Sequence, residues 1–133
     1  GRQVNKMPSA KQMKGFAGER LAAAWLESKG YVILESNYRF MKAEVDIIAF
    51  LPAKQYDRGG DLVFVEVKLR RNSEFASPES AVGRGKQRLI IQAAGAFLHE
   101  RKMEGTPCRF DIISMLGSPP NIEYEHIESA FIG

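Results

Sequence analysis

The feature that most constrains the fold is a succession of three apolar, β-prone runs, at residues 31–38, 45–50 and 62–69. Each run is rich in the aromatic and β-branched side chains that favour strands. Between the last two runs, residues 52–61 contain proline, aspartate and a Gly-Gly pair and few apolar side chains, which is typical of a hairpin loop. The sequence therefore predicts three consecutive strands arranged as a meander.

A helical segment precedes the three strands and another follows them, at residues 15–29 and 84–102. Apolar side chains recur in both at the spacing of one helix face. They are Leu21, Ala24 and Trp25 in the first segment, and Ile90, Ala93, Ala94 and Phe97 in the second. Two further β-prone stretches follow, at 109–115 and 122–126. We therefore predict an α/β fold in the order α-β-β-β-α-β-β, with a mixed sheet flanked by helices.

Length and composition indicate a single globular domain. The chain has 133 residues, of which 44% are hydrophobic and 26% are charged, and this is sufficient for an apolar core. A lone cysteine, Cys108, excludes an intramolecular disulfide and a cysteine-based zinc cluster. No apolar run approaches the ~20 residues needed to span a bilayer. We expect a cytoplasmic protein without membrane association, in which residues 1–14 form a flexible basic arm and residues 15–133 form the domain.

Basic and acidic residues are distributed unevenly along the chain, whose net charge is +3. Residues 1–20 hold five basic side chains and one acidic, and residues 68–88 hold six and two, whereas residues 104–133 hold one and five. A positive side of this kind could meet the phosphates of a nucleic acid, and Arg70, Arg71 and Arg84 are candidate contacts. The alternative is that the basic segments are solvated loops.

Four charged residues lie on strands that otherwise consist of apolar side chains: Glu44, Asp46, Glu66 and Lys68. In an antiparallel hairpin, opposed residues have a constant index sum. A sum of 112 places Asp46 opposite Glu66 and centres the turn on Tyr56, within the predicted loop. Because side chains alternate along a strand, Glu66 and Lys68 then share one face with Asp46. The hairpin thus predicts two carboxylates and an ammonium group close together.

Two opposed carboxylates repel one another unless a positive group lies between them. A divalent cation or the Lys68 ammonium group would meet this need. Mg²⁺ prefers carboxylate oxygens together with waters and phosphate oxygens, so the pair is a candidate hydrolytic centre. Lys68 could orient the attacking water there or stabilise charge on phosphorus. The alternative is a salt-bridge ladder, because the same register places Glu44 opposite Lys68.

The ordered set of motifs resembles the PD-(D/E)xK nuclease superfamily, and more narrowly the YraN family of bacteria. It consists of Gly18-Glu19, Glu44-Val45-Asp46-Ile47-Ile48-Ala49, Val63-Phe64-Val65-Glu66-Val67-Lys68, Lys86, Arg109-Phe110-Asp111 and Ala130-Phe131. YraN proteins are predicted to be nuclease-like and are similar in fold to archaeal Holliday-junction resolvases. The resemblance therefore implies a restriction-endonuclease-like fold for residues 15–133. One departure is Ala43, where relatives commonly have glycine.

The resemblance also implies a role for each matching residue of the site. Asp46 and Glu66 would bind Mg²⁺ or Mn²⁺, with the Val67 carbonyl as a further ligand. Lys68 would be the catalytic lysine. Glu19, on the first helix, would complete the metal site, often through water.

The function implied by the resemblance is that of a metal-dependent endonuclease acting on DNA, including branched DNA. Lys86, which opens the second helix, would lie near the scissile phosphate. Resolvase-like relatives imply a twofold homodimer. The alternative is a nucleic-acid-binding module that has the fold but cleaves nothing. His99 and His126 have no serine or cysteine partner at a telling spacing, and we interpret them as structural or surface residues.

Overall fold

The computed structural model describes residues 10–54, 59–70 and 82–133 and, within these ranges, the side chains from residue 17 onward. The elements of the described residues are α1 (Ala10–Ser28), β1 (Val32–Phe40), β2 (Ala43–Pro52), β3 (Gly60–Arg70), α2 (Arg84–Glu100), β4 (Cys108–Ser118) and β5 (Asn121–Phe131). The predicted order α-β-β-β-α-β-β is confirmed. Arg71 and residues 1–9 of the predicted basic arm lie outside the described residues.

The first helix is longer than its periodicity predicted. α1 begins at Ala10, so residues 10–14, which we assigned to the basic arm, are helical. These residues are Ala-Lys-Gln-Met-Lys, all good helix formers, and they extend the helix beyond its periodic part. Neither α1 nor α2, the helices of the described ranges, is long and apolar enough to cross a membrane.

The strands form one mixed sheet in the order β1-β2-β3-β4-β5. β1, β2 and β3 are the predicted antiparallel meander. β4 then lies parallel to β3 after the α2 crossover, and β5 is antiparallel to β4. The β2–β3 pairs run from Pro52–Gly60 to Ile47–Val65, with the predicted index sum of 112. The register inferred from the charged residues is thus confirmed.

α1 and α2 cover opposite faces of the sheet. The cluster under α1 contains Ala22, Leu26, Ile47, Val63, Val65 and Ile113, and the cluster under α2 contains Ile48, Leu62, Phe64, Ile90, Phe97 and Ile112. Ala24, which we predicted on the apolar face of the first helix, is exposed, because α1 meets the sheet through Ala22 and Leu26. β3 alternates as expected, so Glu66 lies on the α2 side of the sheet.

Alternation is interrupted in β2 at Asp46. Val45 packs under α2 together with Ile48, whereas Ile47 packs under α1. Strict alternation would place Val45 and Ile47 on one face. Opposite this point, Asn37 of β1 has φ +54°, a left-handed conformation that asparagine tolerates better than most residues. Asp46 therefore lies at a local irregularity of the β1–β2 pair.

Candidate functional site

Asp46 and Glu66 lie in one cleft between the meander and the start of α2. The cleft has a volume of about 390 Å³, and its lining includes Lys42, Glu44 and Lys86 in addition to the two carboxylates. Asp46 is only 8% exposed and Glu66 only 6%. The structure therefore brings together the two carboxylates that the spacing predicted, and it removes both from most of the solvent.

Where the β2–β3 pairing ends, the Asp46 carboxylate accepts a hydrogen bond from a backbone N–H of β3. The paired residues of these strands end at Ile47–Val65. Next to this last pair, the backbone N–H of Val67 donates a hydrogen bond to Asp46 Oδ2 at 2.8 Å. A buried N–H group needs a partner, and this contact holds the Asp46 carboxylate against β3. The sheet itself thus orients one of the two carboxylates.

Glu66 is held from the other side of the cleft by α2. Lys86 Nζ donates to Glu66 Oε1 at 2.9 Å. The second carboxylate oxygen, Glu66 Oε2, is buried and has no hydrogen-bond partner among the described residues. A buried, unpaired carboxylate oxygen is costly unless a further donor or cation satisfies it. The Oε2 atom is thus consistent with a cation ligand.

The electrostatics of the pair oppose double ionisation. Burial raises the pKa of Asp46 well above its ordinary value, and the charge of Glu66 raises it further. The Val67 N–H works in the opposite direction but does not overcome these effects. A divalent cation between the carboxylates would remove the repulsion and restore the charged form.

Replacing Asp46 with asparagine should stabilise the metal-free protein at alkaline pH. Because the folded-state pKa of Asp46 is raised, its contribution to stability is present at acidic pH and is lost as the pH rises through that pKa. The asparagine side chain would keep the acceptor for the Val67 N–H without the charge. In EDTA at pH 8, we expect the melting temperature of Asp46→Asn to exceed that of the wild type by roughly 3–5 °C. Parallel melting curves of the two proteins from pH 5 to 9 would contradict this.

Glu19 approaches the site from α1. The helix packs tightly against β3 at the preceding residue, where a Cβ on Gly18 would lie 2.8 Å from Leu69 Cδ2. Burial raises the pKa of Glu19, and the charges of Glu44 and Glu66 add to this effect. Within the described residues, no three His, Cys, Asp or Glu side chains converge as a metal-holding group. Glu19 Oε1, like Glu66 Oε2, is buried and has no hydrogen-bond partner among the described residues. Glu19 therefore lies beside the pair, and its role as a metal ligand stays a prediction.

Lys68 is half-buried on β3, two residues beyond Glu66. The ion pair of Glu44 is with Arg39, at 2.8 Å, and not with Lys68 as the salt-bridge ladder required. The β2–β3 pairs end before Glu44 could oppose Lys68. The alternative role of Lys68, as the salt-bridge partner of Glu44, is therefore not observed.

The structure places the predicted nucleic-acid contacts in different positions. Arg84 is exposed at the first residue of α2, two residues before Lys86. Arg70 ends β3, is half-buried and lines a separate pocket on the α1 side together with Gly18 and Leu21. Its Nε has no hydrogen-bond partner in the described part of the chain. Arg71 cannot be placed, because it lies outside the described residues. α2 therefore begins with a basic turn at the mouth of the cleft.

The structure also contains a buried polar network, the Asp111 cluster. Arg109 and Asp111 belong to the motifs of the family resemblance, but the sequence analysis assigned them no contacts or role. Asp111 is fully buried. Its carboxylate accepts hydrogen bonds from Arg109 Nη2 at 2.8 Å and from the Ser129 backbone N–H at 3.0 Å. Asp111 Oδ2 also lies 2.7 Å from His126 Nε2. Arg109 Nη2 also donates to the Tyr31 hydroxyl at 2.6 Å. The Arg-x-Asp spacing on a strand places both side chains on one face and could have signalled the pair. His126 is a structural residue, as interpreted, but it is not isolated.

Comparisons with known proteins identify the family. The model of the uncharacterised protein family UPF0102 matches residues 18–115. A UPF0102 protein of Syntrophus aciditrophicus is 41% identical over 118 residues, covering 88% of this chain and 87% of the relative. The UPF0102 protein CT2262 of Chlorobaculum tepidum is 39% identical over 130 residues, covering 93% and 95%. The chain therefore belongs to the UPF0102 (YraN) family.

Proposed function

We propose that the protein is a metal-dependent endonuclease of the PD-(D/E)xK type that acts on DNA. The observation that carries this proposal is the pair of buried carboxylates, Asp46 and Glu66, in a cleft that also contains Lys86. Lys68 follows Glu66 by two residues on the same strand. A purely structural site would not need two like charges in a buried position.

The residues of the cleft fit a divalent cation such as Mg²⁺ or Mn²⁺. Asp46 and Glu66 would hold it, since Glu66 Oε2 is buried and has no partner within the described residues. The Val67 carbonyl and, through water, Glu19 complete the proposed ligand set. A cation held in this way supplies Lewis acidity toward a phosphoryl oxygen and lowers the pKa of bound water. Hard oxygen ligands with room for water are the set that Mg²⁺ prefers.

The lysines of the site have separate proposed roles. Lys68 stabilises the negative charge that develops on the phosphoryl group and orients the attacking water. Lys86 holds Glu66 in place and, because its side chain is 47% exposed, can also reach a phosphate in the cleft. The preformed Lys86–Glu66 pair limits the reorganisation needed when substrate binds.

The DNA is held, in this proposal, by the basic side chains around the cleft. Lys42 and Lys86 line it, and Arg84 lies two residues before Lys86 at the start of α2. Arg70 lines a separate pocket on the α1 side, so its contact with DNA would be outside the cleft. Such contacts to phosphates carry affinity without sequence preference. The homodimer implied by the family resemblance stays a prediction.

Calorimetric titration with Mn²⁺ tests the proposal. The wild type should bind the ion, and Asp46→Asn should abolish both binding and Mn²⁺-dependent cleavage of DNA, because the pair loses one of its two charges. Glu123→Gln, which removes an exposed carboxylate of β5, is the matched control and should retain both. Equal Mn²⁺ affinity in the wild type and Asp46→Asn would contradict the metal site. Metal-independent DNA binding without cleavage would favour the inactive binding module instead.

A further inference from the structure

The turn between β1 and β2 carries an exposed methionine beside the cleft. Met41 is 86% exposed. It lies in the two-residue turn between Phe40 and Ala43, which are paired across the two strands. An isolated exposed apolar residue is ordinary on a protein surface, so exposure alone does not give Met41 a function.

The backbone of the turn gives no reason for a methionine at this position. Met41 has φ +55°, a left-handed conformation in which glycine and asparagine are favoured in tight hairpin turns. Either residue would satisfy the turn without strain and without exposing an apolar side chain. A methionine at this position costs conformational energy and adds nothing to the packing of the fold. This indicates that its side chain has a function other than stabilising the turn.

Two positively charged residues lie close to Met41 in the chain, and one of them lines the cleft. Lys42, the next residue, lines the cleft together with Asp46 and Glu66. Arg39, on the other side of the turn, has a side chain that is 77% exposed, and its ion pair with Glu44 is a surface contact of the weak kind. An apolar tip flanked by two cations is therefore presented at the rim of the candidate active site.

We propose that Met41 is a wedge that inserts between bases where the stacking of double-stranded DNA is interrupted, as at a branch point or a mismatch. This inference rests on the proposed function. Proteins that kink DNA insert apolar side chains, methionine among them, between base steps. Methionine is unbranched and flexible and fills irregular gaps. Arg39 and Lys42 would contact the phosphates on either side of the opened step.

The preference for interrupted stacking follows from the cost of opening a step. Separating two stacked bases is least costly where the bases are mismatched or already unpaired. Met41 is five residues from Asp46 along the chain, so their Cα atoms are at most about 17 Å apart. This is about half a turn of B-DNA, so one duplex can contact the wedge and the carboxylates together. The wedge would thus select the substrate and place a nearby phosphate at the site.

Binding to two DNAs of equal length tests the wedge without relying on cleavage. Fluorescence anisotropy in EDTA compares a four-way junction with a linear duplex, with 2-aminopurine at the branch point as a reporter of unstacking. The wild type should bind the junction about tenfold more tightly and increase the 2-aminopurine signal. Met41→Asn, which suits the left-handed backbone, should reduce the preference to about twofold or less and leave the affinity for linear duplex unchanged.

Two further variants separate an apolar wedge from a general effect of substitution. Met41→Leu retains an apolar side chain and should retain the junction preference. Val32→Thr alters an exposed apolar residue at the opposite end of β1 and should also retain it. A Met41→Asn protein that keeps the full preference, or a wild type that binds both DNAs equally, would overturn the wedge alone. A wild type that binds neither DNA would overturn the proposed function and the wedge together.

Discussion

Lys68→Ala should lower metal-dependent cleavage of a four-way DNA junction by roughly 10²- to 10⁴-fold, the usual range for a general acid-base group. The affinities for Mn²⁺ and DNA should change little, because Lys68 acts in the proposed mechanism on charge that develops during the reaction. The melting temperature of Lys68→Ala should stay within about 3 °C of that of the wild type, because Glu44 is paired with Arg39 and loses no partner. Single-turnover cleavage and thermal unfolding on the same preparation measure both quantities.

A control for Lys68 is available at the other end of the same hairpin. Lys54 is exposed just beyond β2, and Lys54→Ala removes the same charge from the chain without touching the cleft. It should cleave at the wild-type rate. If Lys68→Ala instead unfolds at a much lower temperature and the wild type shows no cleavage, Lys68 is an architectural residue and the catalytic role is wrong.

Asp111→Ala should destabilise the protein by about 3–5 kcal/mol, the cost of leaving a buried charge without its partner. Arg109 is only 14% exposed and would lose its bidentate contacts to Asp111. The N–H of Ser129 and the ring of His126 would lose their acceptor as well. The melting temperature should fall by about 10 °C or more, as measured by calorimetry or circular dichroism.

Glu128→Gln is the matched control, because Glu128 contacts the same arginine at 3.3 Å but has a side chain that is 62% exposed. An exposed pair of this kind contributes under about 1 kcal/mol. Equal losses of stability in the two variants would show that burial of Asp111 is not what makes its contact with Arg109 important.

The contribution of the Asp111 cluster to stability should also be visible in the wild type as a loss of stability at acidic pH. Burial alone would raise the pKa of Asp111, but hydrogen bonds from His126, Arg109 and Ser129 outweigh it and lower the pKa below its ordinary value. The stability that these contacts give is therefore present above the unfolded-state pKa, about 4, and is lost as the pH falls through the folded-state value. The fall in melting temperature on acidification should be shallower in Asp111→Asn than in the wild type.

The sequence determined the order of the elements and the alignment of the central strands. Apolar periodicity identified both helices, and runs rich in β-branched and aromatic side chains identified the three strands of the meander. Both are local properties of the sequence. The index sum of 112 was predictable because a hairpin couples the loop length to the residues that face one another. For that reason the proximity of Asp46 and Glu66 followed from spacing, and so did the position of Lys68 two residues farther along β3.

Only the tertiary structure decided how the charges around that pair are shared. Lys86 and Glu66 are 20 residues apart, Asp111 and His126 are 15 apart, and each contact depends on how separate elements pack. The alternation of β2 is interrupted at Asp46, opposite the left-handed Asn37, and no periodic rule predicts this. Glu44 forms its ion pair with Arg39 and not with Lys68. The reason is that β1 and β2 are still paired at Arg39 and Glu44, whereas the pairing of β2 with β3 has already ended there. Spacing thus determines which charges can meet, whereas packing determines which of them do.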